Sequence, residues 1–200
     1  MMRSILKYIA YAIAFCLVLP FLFLYWVESL ITDKTSAFQS QSQALSLIPG
    51  QIGNYMRKAY YHRMIEECSL NCCISFGVHF SDLRAKIGEH VYIGADCDIG
   101  WADIGNDTLI GSGVHIISGK HTHGIADLNI PIRLQPGTAE MILIGENCWI
   151  GNGAIIMAKI GNHSVVGAGS VVIKDLPDFS VVVGNPAKII RKRNEFSSKE

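Results

Sequence analysis

Residues 141–174 read MILIGENCWIGNGAIIMAKIGNHSVVGAGSVVIK and contain a repeat with a period of about six residues. An aliphatic residue, usually followed by Gly, opens each repeat, and a small residue stands four positions later. Side chains alternate between the two faces of a β-strand, so residues four apart point the same way. The pattern therefore predicts short strands whose aliphatic and small positions both face a core. The opening residues of this stretch are Ile144, Ile150, Ile156, Ile160, Val166 and Val172.

An earlier run of the same repeat precedes this stretch. Its opening residues are Ile87, Ile93, Ile99, Ile104, Ile110 and Ile116. The small positions of both runs include Val91, Cys97, Thr108, Val114, Cys148, Ala154, Ser164 and Ser170. One hexapeptide cannot bury its own apolar edge, whereas stacked coils cover one another. The sequence therefore predicts an all-β fold, a parallel β-helix, with Cys97 and Cys148 in the core rather than acting as nucleophiles.

Three spacings between opening residues depart from the period. The steps 99–104 and 156–160 are short, and the step 116–144 is long. Each departure follows a set of three regular positions. We therefore expect a three-sided coil in which all three irregular steps fall at the same corner.

The stretch WIGNGAIIMAKIGNHSVVGAGSVVIKDLPDFSVVVGNPAKIIRKR, residues 149–193, resembles the hexapeptide-repeat acyltransferases. Residues 122–141, with Pro131, Pro136 and Gly137, look like the loop beside the active site in the galactoside and maltose O-acetyltransferase branch. The resemblance covers residues 71–193 and implies a left-handed parallel β-helix. It also implies transfer of an acetyl group from acetyl-CoA to a hydroxyl of a saccharide or an envelope polysaccharide precursor.

Histidine suits the task of taking the acceptor's proton, because unperturbed imidazole titrates near pH ~6.5. The segment VHIISGKHTHG, residues 114–124, places His121 after a strand and before the loop. The catalytic histidine of the O-acetyltransferase branch holds this place, so the resemblance assigns the general base to His121, with His123 as the reserve. His115, on the preceding strand, is expected beside the site or at a subunit interface.

The resemblance further implies a set of contacts to acetyl-CoA, the co-substrate: Trp149, Asn152, Ala168, Ile173, Lys174, Lys188 and Arg191. Cationic side chains suit a ligand that carries several phosphates. A basic, solubilising tail is the alternative interpretation for Lys188 and Arg191. The family's active site lies between subunits of a homotrimer, and the same assembly is expected here. Asp98 and Asp103 are further candidates for binding the acceptor hydroxyl.

Two other functions stay open. A metal-binding β-helix resembling the γ-class carbonic anhydrases would hold zinc with histidines of adjacent subunits, although no triplet of histidines follows the repeat spacing. We assign no metal ligands. A non-catalytic trimeric scaffold at a membrane is the third interpretation. The balance of 17 basic and 17 acidic residues gives no support to a nucleic-acid partner.

The N-terminal segment ILKYIAYAIAFCLVLPFLFLYWV, residues 5–27, is long and apolar enough to span a bilayer. It lacks a small-residue cleavage site, so residues 1–31 are interpreted as a retained membrane anchor. Pro20 can break the segment and allow a hairpin insertion. The positive-inside rule would send the main domain outward. Free cysteines and cytoplasmic acetyl-CoA instead favour an inner-membrane protein with its globular domain in the cytoplasm, where a lipid-linked sugar would be an accessible acceptor.

Residues 32–70 connect the anchor to the repeat. The Ser- and Gln-rich residues 32–44 are interpreted as a polar linker, and residues near 51–68 as a short amphipathic helix. Three basic residues of this helix, Arg57, Lys58 and Arg63, are expected to contact either anionic lipid or solvent. Residues 194–200 are predicted to form a flexible tail.

Overall fold

The computed structural model describes residues 2–198, with the side chains of residues 7–195. Three helices come first, α1 Met2–Glu28, α2 Lys34–Ser46 and α3 Gly50–Met64. Short strands follow, in chain order β1 Glu67–Cys68, β2 Cys73–Ile74, β3 His79–Phe80, β4 Lys86–Ile87, β5 Tyr92–Ile93, β6 Asp98–Ile99, β7 Ala102–Ile104, β8 Leu109–Ile110, β9 His115–Ile116, β10 Ile142–Ile144, β11 Trp149–Ile150, β12 Ile155–Ile156, β13 Val165–Val166, β14 Val171–Val172, β15 Ser180–Val183 and β16 Lys188–Lys192. Short 3-10 helices lie at Ile132–Leu134 and Arg193–Ser198.

The strands form three sheets that are the three sides of a coil. Side A consists of β1, β4, β7 and β10, and isolated bridges at Ile160 and Leu176 extend it. Side B consists of β2, β5, β8, β11, β13 and β15, with β16 added at the end in the antiparallel direction. Side C consists of β3, β6, β9, β12 and β14. All pairings except β15 with β16 are parallel, which confirms the predicted parallel β-helix, whereas its left-handed winding stays a prediction.

The interior of the coil is built from the repeat positions identified in the sequence. Every opening residue and every small position named above is at most 2% exposed. The small polar positions also satisfy backbone donors in the adjacent coil. The hydroxyl of Thr108 accepts a hydrogen bond from Cys148 N at 3.1 Å, and that of Ser164 accepts one from Ser180 N at 3.1 Å. These buried hydroxyls therefore join coils together instead of carrying an unpaired polar group.

One corner of the coil collects the irregular spacings, as predicted. The steps 99–104, 116–144 and 156–160 each lead from side C to side A. The long step carries a 25-residue excursion, residues 117–141, that leaves the β-helix at this corner. We call this corner the C–A corner.

The interpretation of residues 32–44 as a linker is wrong for most of that segment. Asp33 caps α2 by accepting hydrogen bonds from the backbone N–H groups of Thr35 and Ser36. The side chain of Ser42 is fully buried, where its hydroxyl lies 2.7 Å from Tyr61 Oη and accepts from Phe80 N at 2.9 Å. The polar side chains that suggested a linker instead bind the N-terminal end of the β-helix.

The amphipathic helix is confirmed as α3, although the β-helix starts earlier than residue 71 because β1 begins at Glu67. Arg57 and Lys58 contact neither solvent nor lipid, since they are 1% and 5% exposed. The Arg57 guanidinium donates to the carbonyl oxygens of Ile74 at 2.9 Å and Ile48 at 2.8 Å. It thereby fastens α3 to the first coil and to the end of α2.

Helix α1 is continuous, so the predicted break at Pro20 is wrong. Its segment Lys7–Glu28, with a mean hydropathy of 2.2, is long and apolar enough to cross a membrane by length and composition. One side of α1 packs on α2 and α3 through the buried Tyr11, Ala14 and Val18. At the other end of the chain, residues 194–198 continue the 3-10 turn, and the last two residues of the predicted tail lie outside the described residues.

Candidate active site

The excursion at the C–A corner is a folded-back arm, residues 117–141. Its two limbs are joined near the base by hydrogen bonds from Glu140 N to Ser118 O at 2.9 Å and from Thr138 N to His121 O at 2.7 Å. Gly119 turns the chain into the arm with a φ of +89°, a conformation that favours glycine. The arm therefore leaves the coil with its first limb held in place at His121.

Gly137 permits the close approach of the two limbs. A Cβ atom at this position would collide with the carbonyl group of Thr122 and would lie 2.6 Å from His123 N. No side chain larger than hydrogen fits between the limbs without separating them. The position of both candidate histidines is thus set by a glycine on the opposite limb.

The structure places His121 and His123 on the first limb of the arm, both exposed to solvent. The backbone of His121 is fixed by its bond from Thr138, whereas neither imidazole has a hydrogen-bond or ion-pair partner elsewhere in residues 2–198. An exposed imidazole without a partner in its own chain is free to bind an acceptor hydroxyl or a group of another subunit. The role of His121 as a base stays a prediction.

Lys120 joins the arm to the last coils of the β-helix. Its Nζ donates to the carbonyl oxygen of Ile173 at 3.1 Å. Beside this contact lies a cavity of about 360 Å³, lined among others by Lys120, Glu140, Lys159 and Asp175. Ile173 and Lys174, two residues of the predicted acetyl-CoA set, therefore lie next to the residue that precedes His121.

The remaining residues of the predicted acetyl-CoA set lie elsewhere on the coil. Asn152 and Ala168 occupy stacked turns between sides B and C, where Gly169 N donates to Asn152 O at 2.8 Å. Trp149, 57% exposed, lies on side B. Lys188 and Arg191 lie on β16 at the end of the same side.

A single chain does not bring all of these residues together. Side B lies opposite the C–A corner of a three-sided coil, so the body of the β-helix separates Trp149, Lys188 and Arg191 from His121 of the same chain. The predicted set is thus divided between two surfaces of one subunit. A second copy is required if both surfaces are to contact one ligand.

Asp98 and Asp103 do not lie together. Asp98 is on the outer face of side C, between His79 Nε2 at 3.3 Å and His115 Nδ1 at 3.9 Å. Asp103 is on side A, in strand β7. His115 lies on the outer face of side C, and no hydrogen bond or ion pair joins the Asp98 side chain to the arm among the described side chains of residues 7–195.

The two core cysteines have the properties expected of packing residues. Cys97 and Cys148 are 0% and 2% exposed, and their thiols lie 3.1 Å and 3.2 Å from the carbonyl oxygens of Gly111 and Gly161. Burial raises the pKa of the Cys97 thiol to about 11 and raises that of Cys148 as well, because a thiolate loses hydration in the core. A nucleophilic thiolate is therefore disfavoured at both positions.

Within residues 2–198 of one chain, no group of three His, Cys, Asp or Glu side chains is arranged to hold a metal ion.

Two features of the arm were missed in the sequence. The first is Lys120, whose bond to Ile173 depends on a contact between residues 53 apart. The second is a group of exposed aliphatic side chains at the arm tip, Ile125, Leu128, Ile130, Ile132 and Leu134. Their density in the segment 125–134 was the available signal for this group.

Comparison with known proteins agrees with this architecture. Residues 84–118 and 141–174 match the family model described as the hexapeptide repeat of succinyl-transferase. WbbJ of Escherichia coli (strain K12), provisionally named a lipopolysaccharide biosynthesis O-acetyl transferase, is 36% identical over 125 residues, which cover 59% of this chain and 62% of WbbJ. The match therefore spans less than two thirds of that relative.

Solved structures extend the likeness over more of the chain. The hexapeptide-repeat acetyltransferase VCA0836 of Vibrio cholerae superposes with a TM-score of 0.66 at 25% identity, over 81% of this chain and 94% of that one. Its complex with acetyl coenzyme A gives a TM-score of 0.62 at 25% identity, over 80% and 90%. A galactoside acetyltransferase in complex with coenzyme A has a TM-score of 0.63 at 23% identity, over 84% and 87%, and supports the fold alone. With its two matched runs of repeats on a three-sided parallel coil, the chain is similar in sequence pattern and in fold to the hexapeptide-repeat acetyltransferases.

Proposed function

We propose that this protein transfers an acetyl group from acetyl-CoA to a hydroxyl of a saccharide, with His121 as the general base and His123 as the alternative. The observation that supports this most is the arm at the C–A corner. It presents the exposed imidazole of His121 directly after Lys120, which is bonded to Ile173 beside Lys174. The proposal is supported by this shared position of the proposed base and two expected acetyl-CoA contacts at one corner.

The reaction follows from this arrangement as a direct transfer. The neutral imidazole of His121 takes the proton of the acceptor hydroxyl while the oxygen attacks the thioester carbonyl. Backbone N–H groups of the cleft stabilise the tetrahedral oxyanion. The carbon–sulfur bond then breaks, the imidazolium returns its proton to the departing CoA thiolate, and an acetyl ester and free CoA remain. No residue needs to carry the acetyl group.

The acetyl-CoA site is proposed to lie between two subunits of a homotrimer. One subunit supplies His121, and the neighbouring one supplies Trp149, Asn152, Ala168, Lys188 and Arg191. Two observations support this: the predicted contacts are divided between opposite surfaces of one chain, and the arm tip exposes five aliphatic side chains, among them Leu128, 96% exposed. An apolar group of this kind at the end of an arm is suited to packing against a neighbouring subunit.

The acceptor is proposed to be a saccharide or a lipid-linked sugar at the inner membrane. Its support is the apolar segment of α1 together with the resemblance of the repeat to WbbJ. The catalytic domain, beginning at Glu67, would then face the cytoplasm, where acetyl-CoA is made. The thiols agree with this side, because the described cysteines are all free.

Incubation of membranes that contain the protein with acetyl-CoA labelled in the acetyl group tests the proposal. Label is expected in a glycan and is expected to be released by mild alkali, because an O-acetyl ester hydrolyses under conditions that an amide survives. Label that resists alkali would assign the transfer to an amine instead. Purified protein that does not bind acetyl-CoA in calorimetry would contradict the proposal altogether.

A further inference from the structure

We propose that α1 lies in the plane of the membrane surface, with one side docked on the protein and the other embedded among lipids, rather than crossing the bilayer. This inference rests on the proposed membrane association but not on the proposed acetyl transfer. Its basis is the set of contacts that α1 makes along its length.

Both ends of α1 are attached to the same globular body. Near the start, Lys7 Nζ donates to Asn71 Oδ1 at 3.1 Å, and the hydroxyl of Tyr11 donates to the carbonyl oxygen of Leu70. Near the end, Ser40 Oγ of α2 donates to Glu28 Oε1 at 3.2 Å. Lys7 and Glu28 are about 30 Å apart along a helix, roughly the thickness of the hydrocarbon core.

The middle of α1 is attached as well. The rings of Tyr11 and Tyr55 meet edge to face at 5.2 Å between centroids, and Lys58 Nζ of α3 lies 5.2 Å from the centroid of the Tyr11 ring. The Arg63 guanidinium lies 5.1 Å from the ring of Phe15. A helix that crossed the bilayer in this arrangement would take α2, α3 and the first coil into the hydrocarbon with it. Those elements carry buried cations and exposed polar side chains, which lipid does not accommodate.

The outward side of α1 is apolar and has no partner within residues 7–195. It exposes a continuous stripe of large side chains: Tyr8, Ile9, Ile13, Leu17, Leu19, Phe23, Leu24 and Trp26. The stripe continues onto α3, where Ile13, Leu17 and the 66% exposed Ile52 line a cavity of about 200 Å³. Interfacial helices usually have a polar side that faces water. The side of α1 that would otherwise face water packs on α2 and α3 instead. A helix that lies flat on the membrane in this way does not need a polar side.

Charge favours lipid as the occupant over a second copy of the chain. No Asp or Glu precedes Glu28 in the sequence, whereas two exposed cations lie on or against α1: Lys7 near its start, and Arg63 of α3 over the half-buried ring of Phe15. Cations beside an apolar surface attract anionic head groups. The flat arrangement also removes the conflict with the positive-inside rule, because neither flank of α1 has to be translocated.

Spin labels at four outward positions test the placement in the full-length protein. Ile9→Cys, Ile13→Cys, Leu17→Cys and Phe23→Cys are each labelled in a background with Cys16→Ser and Cys73→Ser. The protein is bound to vesicles of phosphatidylethanolamine and phosphatidylglycerol, and collision rates with oxygen and with a water-soluble nickel chelate give the depth. All four labels are expected at a similar depth of about 5–10 Å. Thr35→Cys on exposed α2 is the control and is expected to stay in water.

A depth profile that is greatest at Leu17→Cys and shallow at Ile9→Cys and Phe23→Cys would show a crossing helix and overturn the placement alone. Labels that remain accessible to the nickel chelate would overturn both the placement and the membrane association. Labels shielded without vesicles would show that a second copy covers the stripe, and would also overturn the proposal. As a second readout, the double variant Leu17→Glu with Phe23→Glu is expected to lose binding to vesicles and to keep binding of acetyl-CoA. The control Thr35→Glu is expected to remain bound to vesicles.

Discussion

Gly137→Ala is expected to reduce turnover without unfolding the protein, because Gly137 lies where the two limbs of the arm touch. An added Cβ would lie 2.6 Å from His123 N and still closer to the Thr122 carbonyl. Carbon contacts are optimal near ~3.5 Å, so the limbs would have to separate by about 1 Å. A displacement of about 1 Å at a reacting group can cost about 100-fold in rate.

The loss is expected in kcat, measured as initial rates with labelled acetyl-CoA and a saturating acceptor. The melting temperature is expected to change little, because the arm is exposed and contributes nothing to the buried repeat positions. Ala139→Ser, an exposed substitution on the same limb, is the matched control and should keep normal turnover. Full activity of Gly137→Ala would refute the argument that limb spacing positions the base. A large fall in melting temperature would refute the argument that the arm is separate from the core.

Three further predictions concern the assembly, the core and the thiols. If the protein forms the proposed trimer, Leu128→Asp with Ile132→Asp is expected to convert it to a monomer in light scattering in detergent. Asn129→Asp on the same tip is expected to leave the assembly intact. An unchanged mass for the double variant would remove the arm tip from the interface. Ile150→Ala, at a position with no exposure, is expected to lower the free energy of unfolding by about 2–5 kcal/mol in urea titrations. The control Leu109→Ala, at a position 51% exposed on the same side, should lower it by less than about 1 kcal/mol. Equal losses for the two variants would contradict the assigned core. Burial raises the pKa of the Cys97 thiol to about 11, so its thiolate is scarce at neutral pH and increases only as the pH approaches that value. Mass spectrometry should find Cys97 unmodified by iodoacetamide in the folded protein near pH 8 and alkylated after unfolding in urea. Rapid modification of the folded protein would contradict the burial of Cys97.

The β-helix could be predicted closely because its periodicity is local. Each opening residue is followed at a fixed distance by a small residue, and a step that is too short or too long identifies a corner. The irregular steps 99–104, 116–144 and 156–160 therefore predicted where the arm would leave the coil. Nothing beyond neighbouring coils is needed for this argument, since each coil contacts mainly the next.

The N-terminal region was harder to predict because its helices are determined by contacts with the first coil. The Ser- and Gln-rich composition of α2 is typical of a linker, yet Ser42 binds Tyr61 and Phe80 far along the chain. Arginine is usually found at the surface, but the Arg57 guanidinium donates hydrogen bonds to backbone carbonyl oxygens of the first coil and at the end of α2. Local periodicity contains no information about such partners, so tertiary contacts override it.

Only part of the candidate site could be predicted from the sequence, again because some of its contacts join distant parts of the chain. The position of His121 follows from the repeat and the loop, both visible in the sequence. The bond between Lys120 and Ile173 is not visible there, because it joins one coil to an arm that leaves another. The division of the acetyl-CoA set between two surfaces likewise emerged only when the strands were assigned to sides of the coil.

The rate of acetyl transfer by His121→Ala, compared with His123→Ala, tests the central claim most directly. Both variants are measured at saturating labelled acetyl-CoA, with acetyl-CoA affinity and melting temperature recorded in parallel. Removal of a general base is expected to lower the kcat of His121→Ala by about 10²–10⁴-fold, with binding and stability retained, while His123→Ala keeps most of its turnover. Normal turnover by His121→Ala would contradict the account.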